Sequence, residues 1–413
     1  MTPDFDILIV GGGMVGACVA ALAASEPTLQ DARIALLEPR IPTAPPPDDD
    51  IDLRVSAISR ASERILRHAQ AWTHVPQRHR SAYQCMTVWD AANKSDSPAA
   101  LHFSAAETGE PNLGYIVENR RLQWALFEAA PLRQRIAMLS AQIRGIELQA
   151  DGARVALSDG RKLSVRLVVG ADGAGSPSRE AVGIATSGWS YEQSAVVTHV
   201  QTEKPHRQTA WQRFTPTGPI AFLPLPDGRS SIVWTNPSDE AERLIELSDR
   251  EFAAELQCAS DSVLGEVVAT TARARFPLQL KAAREYTRPR FVLVGDAAHA
   301  VHPLAGQGVN LGFMDAACLI ECFAAARARG ASFEELSEAR VLRSYERWRK
   351  SEVLPAVGLI DGLNRLFSNA NPLIGGLRRA GFAAVEHVPG MKRFLIQRAL
   401  GLAGERPKMA RSS

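Results

Sequence analysis

Six residues, Gly11-Gly12-Gly13-Met14-Val15-Gly16, constrain what this chain can fold into more than any other stretch. They follow a mostly apolar run, Phe5 to Val10, and precede a small-residue, helix-prone run from Ala17 to Ser25. Strand, tight turn and helix in that order begin a dinucleotide-binding unit. Gly11 allows the turn, Gly13 lets a pyrophosphate approach the backbone, and Gly16 lets the helix pack closely on the strand. Alone the pattern is weak. It gains weight from Arg33 to Glu38, a second strand pattern ending in an acid about 20 residues downstream, where such folds hold ribose hydroxyls. Glu38 is therefore the candidate ribose acceptor, and Met14 and Val15 belong to the same ligand turn. The plain alternative is a glycine turn with Glu38 finishing a strand. FAD and NAD fit this unit equally.

A second glycine-rich stretch, Gly295 to Asp315, supplies another candidate ligand edge. Phe291 to Gly295 reads as a short buried strand, so Gly295 and Asp296 fall at its carboxyl end, where open α/β sheets bind ligands. Gly306, Gly308 and Gly312 surround Asn310 at the start of a patterned helix. The unshielded N–H groups of Gly308, Val309 and Asn310 favour an anionic or electron-rich partner, read here as a flavin. Basic residues in the last turn and Gly330 stop that helix near Arg329.

Between these stretches several residues keep two readings. Asp172 ends a further strand pattern from Leu163 and opens a glycine-rich turn, which is either structural or a second dinucleotide contact. Pro42 to Asp52, rich in proline and aspartate, reads as a mobile surface loop. Arg54 beyond it meets a phosphate or makes a surface salt bridge, and Asn119 is a helix N-cap or a ligand contact. From Ser194 to Thr235 four short β-type runs, the last three separated by turns at Thr217-Gly218 and Asp227-Gly228, predict an inserted antiparallel sheet. Trp211, Phe214, Phe222 and Trp234 on it form either one aromatic face over an apolar ligand or ordinary core.

Bulk properties exclude several classes. At 413 residues the chain has ample core, and 47 basic against 45 acidic residues give a net charge of +2, no global field for nucleic acid. Five scattered cysteines argue for a reducing compartment without a disulfide framework. The start of the sequence shows no basic region with an apolar core after it, and no apolar run reaches the roughly 18 residues of a span, so a cytoplasmic or peripheral protein is expected. His299 and His302 stand three apart without companion carboxylates or cysteines, so no metal site is expected. From Leu354 to Leu402 apolar runs alternate with basic residues, a pattern suited to an anionic lipid surface, a partner protein or packing on the rest of the chain.

With GGGMVG at Gly11, GADGAGSPSR from Gly170 and GDAAHAVHPLAGQGVNLGFMDA from Gly295, nearly the whole chain resembles the single-component FAD-dependent aromatic hydroxylases. DLRVSAISRAS from Asp52, LGYIVEN from Leu113, WQRFTPTGPIAFLPL from Trp211 and SIVW from Ser231 narrow the resemblance to the ubiquinone-biosynthesis hydroxylases. MTVWD from Met86 and NLGFMDAA from Asn310 look closest to the 2-polyprenylphenol hydroxylases acting at ring position 5. The resemblance implies an α/β fold with a Rossmann-like FAD-binding domain of the p-hydroxybenzoate hydroxylase type, drawn from residues 1–75, 112–182 and 284–352. An inserted antiparallel β-sheet substrate domain would come from 76–111 and 183–283, and a helical C-terminal region from 353–413.

It also implies non-covalent FAD, NAD(P)H as co-substrate, O2 and a polyprenylated phenol. By it Gly11, Gly13 and Gly16 cradle the pyrophosphate, Glu38 binds ribose, Arg54 lies near the phosphates, Asp296 holds the ribityl and pyrophosphate region, and Asp172 serves both FAD and the visiting NAD(P)H. The wider class often carries arginine where this chain has Asn119. Pro303 shapes the substrate side of the flavin ring, and His302 is the one candidate base for the phenol proton. Other ubiquinone-pathway proteins, a further copy of the chain in a homo-oligomer, and a peripheral contact at the inner face of a membrane are compatible partners. A flavin halogenase would call for WxWxIP, and no two tryptophans stand two apart. The remaining alternative is a non-catalytic flavoprotein scaffold.

Overall fold

Apolar β-branched runs that are buried on both faces favour parallel sheets covered by helices, and Phe5–Val10 is the centre of one. The computed structural model describes residues 3–301, 307–367, 390, 397–398 and 400–411. Phe5–Val10 pairs in parallel with Lys162–Gly170 on one side and Ile34–Leu37 on the other. Phe291–Leu293 and Ile136–Leu139 extend the sheet in parallel beyond these. Leu8 and Ile9 are fully buried. Strand order reverses around Phe5–Val10, the switch point at which the carboxyl ends diverge into a crevice. Val10 is level with Leu37 and Gly170, and Gly170 with Leu293. The turns bearing Gly11, Glu38, Asp172 and Gly295 are thereby set along one edge.

Two helices made of small and apolar residues cover this sheet near that edge. Met14–Ser25 buries Gly16 through Ala24, and Gln307–Ala328 lies against it, with Val15 filling the space that a side chain at Gly312 would need. Gly330, at φ +88, ends the second helix as the sequence indicates. Contrary to expectation, Gly308–Ala328 is long and apolar enough to cross a membrane by length and composition, but 67% of its apolar window is buried inside the protein. Isolated polar residues such as Asp315 conceal that run in the sequence, and Asp315 is itself fully buried.

The inserted sheet forms where predicted. Its axis is the 17-residue strand Thr186–Thr202, paired antiparallel with Ser230–Pro237 and with Ala274–Ala283. Gly218–Pro224 and Thr209–Thr215 continue it, and Cys85–Asp90 joins the latter in parallel. The aromatic quartet does not form one ligand face. Trp211 is level with Phe222, and Ile220 with Trp234, so these share a face, which helices Ser238–Glu246 and Asp249–Ala259 cover with Leu244, Phe252 and Leu256. Phe214 points to the other side, because residues three apart on a strand lie on opposite faces.

A small third sheet of Val55–Ser59, Gly114–Glu118 and Arg80–Tyr83 lies between the two regions. With domain borders proposed at 76, 112, 183 and 284, Arg80–Tyr83 pairs on the FAD side, while His299–Ala300 pairs with Lys281 and Ala282 of the inserted sheet. The described C-terminal residues are docked on the protein. Leu400 packs with Leu113, Ala410 is fully buried, and the Trp348 indole donates to the Glu405 carbonyl at 3.1 Å.

Residues 42–52 are tied down rather than loose. Arg121 donates to the Pro46 carbonyl (3.0 Å), Arg78 to that of Pro47 (3.4 Å), Arg120 to Asp49 and the Asp50 carbonyl (both 2.7 Å), and Arg229 of the inserted sheet to Asp50. The Arg229 hydrogen bond holds the Asp50 carboxyl below its usual range. At the root, buried Glu118 accepts from Arg121 (2.5 Å), Arg120 (3.1 Å) and the Asp52 N–H (2.9 Å). Glu118→Ala strands buried Arg121 without its carboxylate and is expected to cost about 3–5 kcal/mol in denaturant unfolding. A loss below 1 kcal/mol would show that the strap does not depend on this pair.

Candidate functional site

The three glycines of the first turn have three distinct reasons to be glycine. Gly11 adopts φ +100, and a Cβ on it would stand 2.6 Å from the Ala171 carbonyl oxygen. On Gly16 a Cβ would sit 1.9 Å from the Gly11 carbonyl oxygen. Gly13 differs, because a Cβ there would meet nothing within 4 Å among the described residues. It is the N-cap of Met14–Ser25, which has no side-chain cap and no acid in its first turn. An uncapped helix N-terminus opening onto free space is a fitting cradle for a pyrophosphate.

Glu38 stands at the end of Ile34–Leu37, accepting from the Gly12 N–H at 2.7 Å and the Arg40 N–H at 3.0 Å. Gln123 fixes the same turn from the opposite side by donating to the Gly12 carbonyl (2.7 Å). Met14 and Val15 lie in the first helical turn, and the Val15 methyls are 3.1–3.2 Å from the position of a Cβ on Gly295. Val15 thus wedges the pyrophosphate turn against the second glycine-rich stretch.

At that second stretch Asp296 is reachable by solvent yet enclosed by protein, the setting of a cleft. This enclosure raises its carboxyl pKa, assisted by Asp315 and opposed by His299 and Arg54. Among the described residues its carboxylate has no hydrogen bond or ion pair, so its lone pairs remain available to hydroxyl donors such as a ribityl chain. Gly308 and Val309 stand in the first described turn of Gln307–Ala328, and among the described residues a Cβ on Gly308 would have only Val301, at 3.9 Å, nearby. His302, Pro303 and Gly306 lie outside the described residues.

Other candidates are placed differently. The Asp172 carboxylate is engaged in its own turn, accepting from the Ser176 and Ser178 hydroxyls and from the Ser178 N–H (2.5, 2.9 and 2.8 Å). Its structural role is explicit. Asn310 is buried, and its amide joins the helix start to the small sheet through the Ser59 N–H (2.9 Å) and the Ala57 carbonyl (2.8 Å). Asn119 is no N-cap: Glu118 occupies that position, and the Asn119 side-chain Oδ1 accepts from the Ser56 hydroxyl at 2.7 Å. Arg54 is exposed and in no ion pair among the described residues; its guanidinium lies 5.8 Å from the Phe276 ring centroid. It therefore stands at the junction of the two regions.

Arg179 escaped the sequence reading. Buried in the turn after Asp172, it donates to the Ala297 carbonyl at 2.8 Å and the Ala174 carbonyl at 3.0 Å, which locks the Asp172 turn to the Asp296 turn. The arginine closing GADGAGSPSR was a visible signal, but its partner is 118 residues away.

The opposite face of the inserted sheet packs on the small third sheet. His199 Nε2 lies 3.1 Å from the Asp52 carbonyl oxygen, and Leu223 and Leu225 pack with Val55, Ala57 and Ile116. Ala195, Val197, Leu278, Tyr191, Val233 and Phe276 give the adjoining part of this face an apolar character.

The residues present fit FAD: an open phosphate cradle at Gly13, a carboxylate at Glu38 for ribose and an unbonded carboxylate at Asp296 lie along one edge. Comparisons with known proteins agree. A family model described as "FAD binding domain" matches residues 4–351. The ubiquinone hydroxylase UbiL of Rhodospirillum rubrum is 36% identical over 98% of this chain and 92% of its own length. The 3-demethoxyubiquinol 3-hydroxylase of Escherichia coli is 35% identical over 96% of this chain and 98% of its own. Among solved structures, p-nitrophenol 4-monooxygenase PnpA of Pseudomonas putida superposes with a TM-score of 0.75 at 18% identity, covering 97% of this chain and 98% of that one.

Gly13→Ala is expected to leave the apoprotein's unfolding midpoint unchanged, since φ is −62 and the space is open, while weakening FAD binding about tenfold or more. Gly16→Ala should instead lower the midpoint. FAD titration of Gly13→Ala at wild-type affinity would remove the pyrophosphate from this turn. A second expectation concerns pH. A carboxyl with a raised folded-state pKa gives the apoprotein stability in acid that is lost as pH rises through that value. Ionised Asp296 is the stronger acceptor, so FAD affinity should fall on acidification through the same pH, and Asp296→Asn should flatten that dependence. Equal slopes for the two proteins would sink the assignment.

Proposed function

The chain belongs to the FAD binding domain family, and from that premise we propose that it hydroxylates the aromatic ring of a polyprenylated phenol in ubiquinone biosynthesis. It is an FAD-dependent aromatic hydroxylase and monooxygenase of the class that uses NAD(P)H. The observation that carries the substrate reading is the near full-length match to two hydroxylases named for ubiquinone or its precursor. The apolar cluster of Val197, Leu278 and Phe276 on the inserted sheet supports it, since a neutral, lipid-like phenol needs surface and shape more than charge. Within that class we assign ring position 5 of 2-polyprenylphenol, on the motifs at Met86 and Asn310. A homo-oligomer and a peripheral site at the inner face of the membrane are part of the same proposal.

FAD, when bound, supplies hydride acceptance from NAD(P)H and the activation of O2. The chain's residues bind and orient. Gly11, Gly13 and Gly16 shape the pyrophosphate turn, Glu38 takes the ribose, and Asp296 takes ribityl hydroxyls. Arg54 contributes positive charge near the phosphates, and the helix start at Gly308 and Val309 faces the electron-rich ring end. Pro303 shapes the substrate side, and His302 accepts the phenol proton. Asp172 acts through its turn, where Arg179 joins it to the Asp296 turn.

Purified holoprotein given NAD(P)H, O2 and a polyprenylphenol is expected to oxidise NAD(P)H faster with substrate than without it and to yield a product one oxygen heavier, whose NMR spectrum gives the ring position. Hydroxylation elsewhere would move the chain to a sister reaction. No acceleration and no product would favour the scaffold.

A further inference from the structure

We infer that a buried cluster of Asp315, Arg349 and His299 positions the Gly295–Asp296 turn for the flavin, so that these residues set cofactor affinity without touching the cofactor. The inference rests on Asp296 as the flavin-end contact. Asp315 is fully buried, and Arg349 and His299 are each 1% exposed. One Asp315 oxygen accepts from the Gly295 N–H at 2.8 Å and from His299 Nε2 at 2.7 Å, and the other from Arg349 Nε at 2.5 Å. Arg349 also reaches the Leu311 carbonyl at 3.4 Å. The cluster therefore joins three pieces of chain, namely the turn itself and helices Gln307–Ala328 and Ala339–Phe367.

Its target is what separates it from an ordinary core ion pair. The N–H it holds belongs to Gly295, the residue immediately before Asp296, in the left-handed region at φ +59. The second helix grips the same strand end by neighbouring residues. Tyr345 donates to the Leu293 carbonyl at 3.0 Å, and Glu346 accepts from the Tyr286 N–H (2.8 Å) and the Thr287 hydroxyl (2.9 Å).

Among the described residues His299 Nδ1 is buried without a hydrogen-bond partner, whereas Nε2 stands 2.7 Å from Asp315. Burial opposes ionisation of Asp315, but His299 and Arg349 outweigh it and hold the carboxyl below its usual range. Carboxylate and guanidinium pair directly, and His299 Nε2 completes the carboxylate's set of partners.

The test compares His299→Leu, His299→Gln and Asp296→Asn, each stripped of FAD. FAD affinity is read by flavin fluorescence, the bound flavin by visible circular dichroism, and the apoprotein by thermal unfolding. His299→Leu is expected to fold, to bind FAD about tenfold more weakly and to alter the flavin dichroism. His299→Gln, which keeps an N–H at a similar reach, should return affinity to within about twofold. Wild-type affinity and dichroism in folded His299→Leu overturn the inference, as does a His299→Gln no better than leucine. If the leucine protein does not fold, Arg349→Lys is judged by the same affinity: weakened binding supports the inference and unchanged binding overturns it. Asp296→Asn at wild-type affinity would instead overturn the flavin-end assignment, while weakened Asp296→Asn beside unaffected His299→Leu rejects the positioning role alone.

Discussion

The contact on which this molecule depends is between two backbones. The Gly11 carbonyl oxygen lies where a Cβ on Gly16 would have to be, 1.9 Å away. Only with that space empty can Met14–Ser25 descend close to the central strand and present its uncapped N-terminus at the crevice. Closeness here is functional because helix-end N–H groups act over short range, falling off within the first turn. The same constraint fixes where Val15 projects, and hence how near Gly295 and Gly312 can come. A larger residue at either glycine would push the second stretch off the first.

The two ends of the site are thus built by different physics. At the nucleotide end, shape is set by missing side chains. At the end assigned to the flavin under the proposed function it is set by buried charge, with Asp315, Arg349 and Arg179 each fully or almost fully enclosed. Such groups are poor sources of net stability, since desolvation offsets most of their attraction. They are good at fixing geometry, because a buried carboxylate with several donors has few alternative arrangements. Arg179 and Asp315 hold opposite sides of the turn at 295–298, through the Ala297 carbonyl and the Gly295 N–H.

Much of the nucleotide end was legible because glycines act on their own backbone, within a few residues of where they are written. Gly11, Gly13, Gly16 and the strand-end position of Glu38 all followed from local pattern. The arginine contacts did not. Arg121, Arg179 and Arg229 find partners 75, 118 and 179 residues away, and no local pattern announces such pairings. For that reason residues 42–52 read as a free loop although arginines from three later segments hold them. The aromatic quartet failed for a simpler cause. Trp211 and Phe214 are three apart, which on a strand already divides them between faces. Phe222 and Trp234 needed the register between strands, which only the folded sheet supplies.

That division also explains why flavin chemistry is easier to read here than substrate identity. Under the proposed function, the motifs shared with other hydroxylases hold the cofactor. By the same proposal the substrate meets Val197, Val233, Phe276 and Leu278 of the inserted sheet, side chains that distinguish ligands by volume and contour. An apolar pocket separates ligands that differ by one methylene by only about 1–3 kcal/mol, whereas a buried hydrogen-bonding group rejects a wrong partner far more strongly. Relatives at similar identity are accordingly named for different ubiquinone-related substrates. Under the proposed function, the ring carbon attacked is decided by how the prenyl chain seats the ring against this face. A few apolar substitutions there would redirect the reaction while every flavin motif stayed the same.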